Sequence, residues 1–164
     1  MSATTGQVVK TGKVTGRRTL RFKNVDDVMA EAGRVTHQPM RPLGNWSVGE
    51  ILDHLARSIQ ESFAGSAPPA PWIARTFIAP FVKKSMLTKG LPAGFKLPPT
   101  MAAFQPRLQI AAVVALEDLH AATARLMTES PGKSHPFFGR LTHDEWINLH
   151  LRHAELHLSF LIPE

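Results

Sequence analysis

Residues 142–162 read THDEWINLHLRHAELHLSFLI, and how this stretch is read decides the fold. Thr142 followed by Glu145 has the capping-box pattern that opens a helix: the hydroxyl and the carboxylate each satisfy a backbone N–H left over in the first turn. On a helical wheel Trp146, Leu149, His150, His153, Leu156, His157, Phe160 and Leu161 share one side. We therefore expect one helix running through residue 162 with that side toward the core. Three imidazoles then lie along the middle of an apolar face. A buried polar atom without a partner costs about 1–3 kcal/mol, so something is expected to use their nitrogens.

Three more helices are expected upstream. Asn24 as N-cap, with Asp26 and Asp27 in the first turn, opens a helix of about 25–36, closed by Pro39 and Pro42. His37 falls at its end, where a surface role is expected. Ser47 with Glu50 repeats the capping box and opens a helix of about 47–64 with the stripe Val48, Ile51, Leu52, Leu55, Ile59 and Phe63. His54 lies on the flank of that stripe, a half-exposed position if read alone. An alanine-rich helix is expected from Arg107 to about residue 129, with His120 at its surface. Between the second and third of these helices runs a long irregular crossover. Residues 72–87 in it are apolar and suggest a short helix interrupted at Pro80, and residues 89–106 carry four prolines. With no convincing strand, the expected class is all-α, a four-helix bundle with a long crossover between helices 2 and 3.

The charge is unevenly placed. Lys10, Lys13, Arg17, Arg18, Arg21 and Lys23 all precede the first acid, Asp26, and account for the whole net charge of +6. The expected organisation is a basic, flexible tail over residues 1–18 and one domain over 19–164. A basic tail on a balanced body argues against a specific nucleic-acid partner. The first eighteen residues have no apolar core of a secretory signal and no run reaches membrane-spanning length, so a cytoplasmic protein without a membrane partner is expected. The absence of cysteine excludes thiolate nucleophiles and disulfides, and confines any metal site to His, Asp and Glu.

His153 and His157 stand at i, i+4, so both side chains leave one face and can converge on one ion. A third ligand from a facing helix would complete a site, and His54 is the candidate. The competing reading is a buried polar network that holds no metal. His150 and His135 are candidates for moving protons, because imidazole titrates near neutrality. Glu50 and Glu61 are candidate acceptors for the second ring nitrogen of His54.

The segment Asn45-Trp46-Ser47-Val48-Gly49-Glu50-Ile51-Leu52-Asp53-His54-Leu55 resembles the W-S-x-x-E-x-L-x-H-L helix of the DinB-like (YfiT-like) metalloenzymes, and Arg152-His153-Ala154-Glu155-Leu156-His157 resembles their closing H-x-x-x-H. Residues 135–141, with Glu145-Trp146 and residues 149–153, are similar to an uncharacterised bacterial branch of that superfamily. The resemblance implies a four-helix bundle holding a divalent metal (Zn, Ni or Fe) on His54, His153 and His157. An open position would then activate water or a substrate or thiol in hydrolase- or transferase-like chemistry on a small molecule. The alternative is a bundle that binds metal or a small ligand without catalysis. A homodimer is compatible with either.

Overall fold

The computed structural model describes residues 8–95 and 99–164. Residues 1–7 of the expected tail and 96–98 of the expected crossover lie outside them. The chain is mostly helical: α1 (Val25–His37), α2 (Val48–Ala64), α3 (Ala79–Lys89), α4 (Ala112–Thr128) and α5 (His143–Leu158), with two short strands, β1 (Met40–Pro42) and β2 (Leu161–Pro163). No helix among the described residues is long and apolar enough to cross a membrane.

The helix starts follow from local chemistry. Asn24 accepts from Asp27 N–H to cap α1, and both predicted capping boxes form, Ser47 with Glu50 on α2 and Thr142 with Glu145 on α5. Leu52, Leu119, Leu126, Trp146, Leu158 and Leu161 are fully buried, drawn from α2, α4, α5 and β2. The broadest helix contact is between α2 and α4. Just before α4 the chain also comes close to α2 at Gly49, where an added Cβ would sit 2.1 Å from the Ile110 carbonyl oxygen.

The structure corrects three expectations. The helix predicted from Arg107 begins at Ala112, because residues 107–110 are occupied with α2: Arg107 N–H donates to Asp53 at 2.7 Å and Gln109 N–H to Glu50 at 3.2 Å. Gln109 has φ 58 and Ala111 is extended, which no helix accommodates. The last helix ends at Leu158 rather than at residue 162. The chain then turns into β2, antiparallel to β1 with Arg41 opposite Ile162, and three-residue strands are too short to show the period-2 alternation that marks a strand. The interruption expected at Pro80 is present: the helical run over residues 72–89 widens into a π turn, Ala74–Ile78, just before Pro80, which occupies the first turn of α3. The crossover therefore carries a helix of its own, which packs on α5 and is tied to it by Lys83 and Glu145 at 2.8 Å.

The segment leading into α1 is held by α5. The buried Arg152 and Glu155 form an ion pair at 3.1 Å. Glu155 accepts from Phe22 N–H at 2.6 Å while Arg152 donates to Phe22 O at 2.5 Å, so the pair satisfies both backbone groups of one residue. Burial pulls the Arg152 pKa down, with the Glu155 carboxylate opposing.

Candidate metal centre

α2 and α5 bring His54, His153 and His157 together. One ring nitrogen from each lies within 4.8 Å of the others. His54 Nε2 is 3.1 Å from His153 Nε2, and the His157 ring stands edge-on to both, with centroids at 4.5 Å from His54 and 4.6 Å from His153. Two nitrogens bound to one ion at about 2.0–2.1 Å each would lie roughly 3 Å apart at ordinary coordination angles. His54 is only 3% exposed, not half-exposed as its position on the flank of the stripe suggests. The end of the crossover covers that flank.

The same cover sets the proton on His54. Its Nδ1 lies 2.6 Å from the Phe104 carbonyl oxygen, which can only accept, so Nδ1 carries the hydrogen and Nε2 keeps its lone pair for the cluster. Neither Glu50 nor Glu61 plays this part. Glu50 accepts from Ser47 and Gln109 N–H, and Glu61 accepts from the Ser66 hydroxyl. A backbone carbonyl leaves no trace in the residue types, which is why sequence reasoning missed it. Trp46, just before the cap of α2, adds an aromatic wall to the cluster. Its ring packs 4.7 Å from His54 and stacks at 5.5 Å on His157.

His150 and His135 lie beside the cluster. Ser62 Oγ lies 3.1 Å from Ser58 O and 2.9 Å from His150 Nε2; with its proton donated to the Ser58 carbonyl, Nε2 is the donor and His150 Nδ1 is left an acceptor without a partner among the described residues. His135 is set the other way. Its Nδ1 accepts from Phe137 and Phe138 N–H at 3.1 and 3.0 Å, so the hydrogen sits on Nε2. His37 and His143 bond to the Gly33 and Leu126 carbonyls, and His120 is exposed. None of these three belongs to the cluster.

All five clustered imidazoles are held neutral. Burial pushes His54 down to about 4, opposed by the Phe104 bond and the Asp53 charge and aided by Arg57. Burial likewise takes His135 to about 4 and, with repulsion from His135, His150 to about 3. His153 and His157 are pulled well below their ordinary value by burial and by neighbouring histidines. His135, His150, His153 and His157 are nonetheless partly reached by solvent. Groups so closely surrounded and still accessible line a recess. A neutral imidazole with a free lone pair is the form that binds a metal, so His54, His153 and His157 can hold one by both spacing and protonation state.

Residues 14–164 match the protein family described as "Protein of unknown function (DUF1569)". Comparison with curated proteins and with solved structures found no match. The match takes in both histidine-bearing helices, the crossover and the loop that carries His135, and on that extent the chain belongs to the DUF1569 family.

Proposed function

We propose that the protein is a DinB-like metal-dependent enzyme in which α1, α2, α4 and α5 act as the four-helix bundle and His54, His153 and His157 hold a divalent metal (Zn, Ni or Fe). The observation that carries this reading is the tautomer of His54: a carbonyl fixes the hydrogen on Nδ1 and turns a lone pair toward two more neutral imidazoles. The motif resemblance on α2 and α5 supports it. When bound, the cation supplies Lewis acidity toward water, a substrate oxygen or a thiol.

The chain's own groups divide the remaining work. Trp46 closes one side of the triad against water. His150 Nδ1, free to accept, takes a proton from a group in the recess, and Ser62 holds the ring in the tautomer that can do so. His135 Nε2–H donates to a substrate oxygen. The non-catalytic reading would not require this complementary pair of fixed tautomers next to the triad, which is why the enzyme reading is preferred.

The test is elemental analysis of protein purified without a tag and then exposed to Zn, Ni or Fe. About one metal per chain is expected, falling to background in His153→Ala while the far-ultraviolet circular dichroism stays unchanged. A wild-type protein that takes up none of the three, or a His153→Ala variant that holds metal equally well, overturns the reading. If turnover of a small molecule is found in a screen that includes thiol cofactors, His150→Ala should lower kcat about 10²-fold or more without changing metal content.

A further inference from the structure

Among the described residues, four buried side-chain nitrogens lack a hydrogen-bond partner: Nε of Arg18, Arg75 and Arg152, and Nε1 of Trp146. Two of them belong to guanidinium groups that are otherwise paired, Arg18 with Glu31 at 2.6 Å and Arg152 with Glu155. Arg75 and Trp146 are different. Among the described residues, neither side chain makes a hydrogen bond or an ion pair at any atom. Nε of Arg75 is shut off from water without a partner, while its terminal nitrogens are outside that buried set and stay open to an anion. No local anion serves Arg75, since no Asp or Glu occurs between Glu61 and Glu117.

Arg75 is held at the edge of the recess. Its N–H bonds to Pro71 O at 3.1 Å, and Ala70 N–H bonds to Pro136 O at 2.9 Å, which pins the start of the crossover to the loop after α4. That loop is closed by paired bonds between His135 and Gly139. Gly139 has φ 73, and a Cβ there would stand 3.9 Å from Arg75 Nη2, so the guanidinium lies against the same turn that presents His135. From there the His135 ring is 5.6 Å from Trp146, and the Trp146 ring is 6.0 Å from His150, one turn before His153 on α5. The unpaired cation, the His135 Nε2–H, the free His150 Nδ1 and the triad thus form a continuous series.

We propose that Arg75 is the anchor for an oxyanion, the carboxylate or phosphate end of a small organic substrate whose reacting end extends past His135 and His150 to the triad. The guanidinium fork matches either anion with two parallel N–H bonds, and His135 Nε2–H supplies a further donor. The assignment of a substrate rests on the triad being the reactive centre. The oxyanion site itself does not.

The test keeps the two apart. Inorganic phosphate and acetate are titrated by calorimetry into metal-free wild-type protein, where no metal ion can bind them, and metal content is measured separately. At least one of the two should bind, the tighter one naming the anion class. Arg75→Met should weaken it tenfold or more without changing metal uptake, and Arg75→Lys should recover part of the loss. Should Arg75→Met fail to fold, a several-fold loss in Arg75→Lys carries the same weight, because it removes the fork and keeps the charge. Metal uptake with no binding of either anion, or with binding indifferent to both substitutions, overturns the anchor and leaves the metal reading standing. Arg75-dependent anion binding in a protein that takes up no metal upholds the anchor and sinks the metal reading.

Discussion

The two histidine-bearing helices and the crossover between α2 and α4 contribute to the recess in different ways. α2 and α5 each open with a capping box and supply imidazoles at fixed helical spacing. Residues 65–111 carry no acid at all and leave Trp72, Ile73, Phe77, Ile78 and Phe81 exposed. They give the triad no ligand, and yet their backbone sets the tautomer of His54 through Phe104 O, and Arg75, partly buried and unpaired among the described residues, faces the turn of His135. The helices provide the clustered imidazoles, and the crossover orients that of His54.

The largest effect that separates the two regions should come from pH, because the low-pKa imidazoles sit on α2, α5 and the loop before α5 rather than on the crossover. In the folded protein His54 and His135 titrate at about 4 and His150 at about 3, against an ordinary value of 6.5. Between pH 6.5 and about 4 the unfolded chain therefore binds protons that the folded chain refuses. The linkage sign is positive: stability is present in full above 6.5 and falls as pH drops through that window, flattening below the folded values. Each histidine adds a slope of up to about 1.4 kcal/mol per pH unit. Urea unfolding of metal-free protein at stepped pH should show a loss of several kcal/mol in total, and replacing His135 and His150 by glutamine should remove their share of the slope while those of His54, His153 and His157 remain. A flat profile would mean that these rings are not held neutral by the fold.

A smaller loss is expected at the seam between the regions. Gly49 on α2 has no room for a methyl group, because the obstacle at 2.1 Å is the Ile110 backbone oxygen rather than a flexible side chain. Gly49→Ala should cost about 3 kcal/mol by overpacking, even though alanine is the better helix former. Its chemical denaturation midpoint should fall with the slope unchanged. A neutral or stabilising outcome would show that the crossover can lift from α2 without penalty, and the division of labour drawn above would fail.

What the sequence made legible follows the same division. The caps and starts of α1, α2 and α5 could be read because they depend on residues three positions apart, and the convergence of His153 with His157 could be read because helix geometry guarantees it. The position of His54 was misjudged for a physical reason. Helical periodicity assumes a single buried face, whereas residues 51–56 of α2 are all buried, covered on one side by the helices and on another by the crossover. The start of α4 was placed five residues early because the apolar spacing of residues 108–116 continues through a segment whose N–H groups are taken by Asp53 and Glu50. Phe104, Ser62 and Arg75 had no local pattern to betray them: one acts through its carbonyl, one through a hydroxyl that faces another helix, and one through having no partner at all.

The smallest predicted effect tests most directly whether the crossover orients the site or merely wraps it. Asp53 is completely buried, and its carboxylate accepts from Arg107 N–H, from Nε at 2.8 Å and from Nη2 at 2.5 Å, while Arg57 Nε on the next turn donates to Ala103 O at 3.0 Å. These bonds hold residues 103–107 in the position from which Phe104 O meets His54. Asp53→Asn keeps the size and one acceptor but loses the charge that binds the guanidinium. If the crossover orients His54, zinc affinity measured by chelator competition should fall about tenfold, the scale on which partners of metal ligands act, although the Asp53 carboxylate is bonded to Arg107 and to none of the three histidines. Unchanged affinity alongside a lowered unfolding midpoint would instead assign the Asp53–Arg107 pair to stability alone and leave the Phe104 carbonyl to be held by α2 packing.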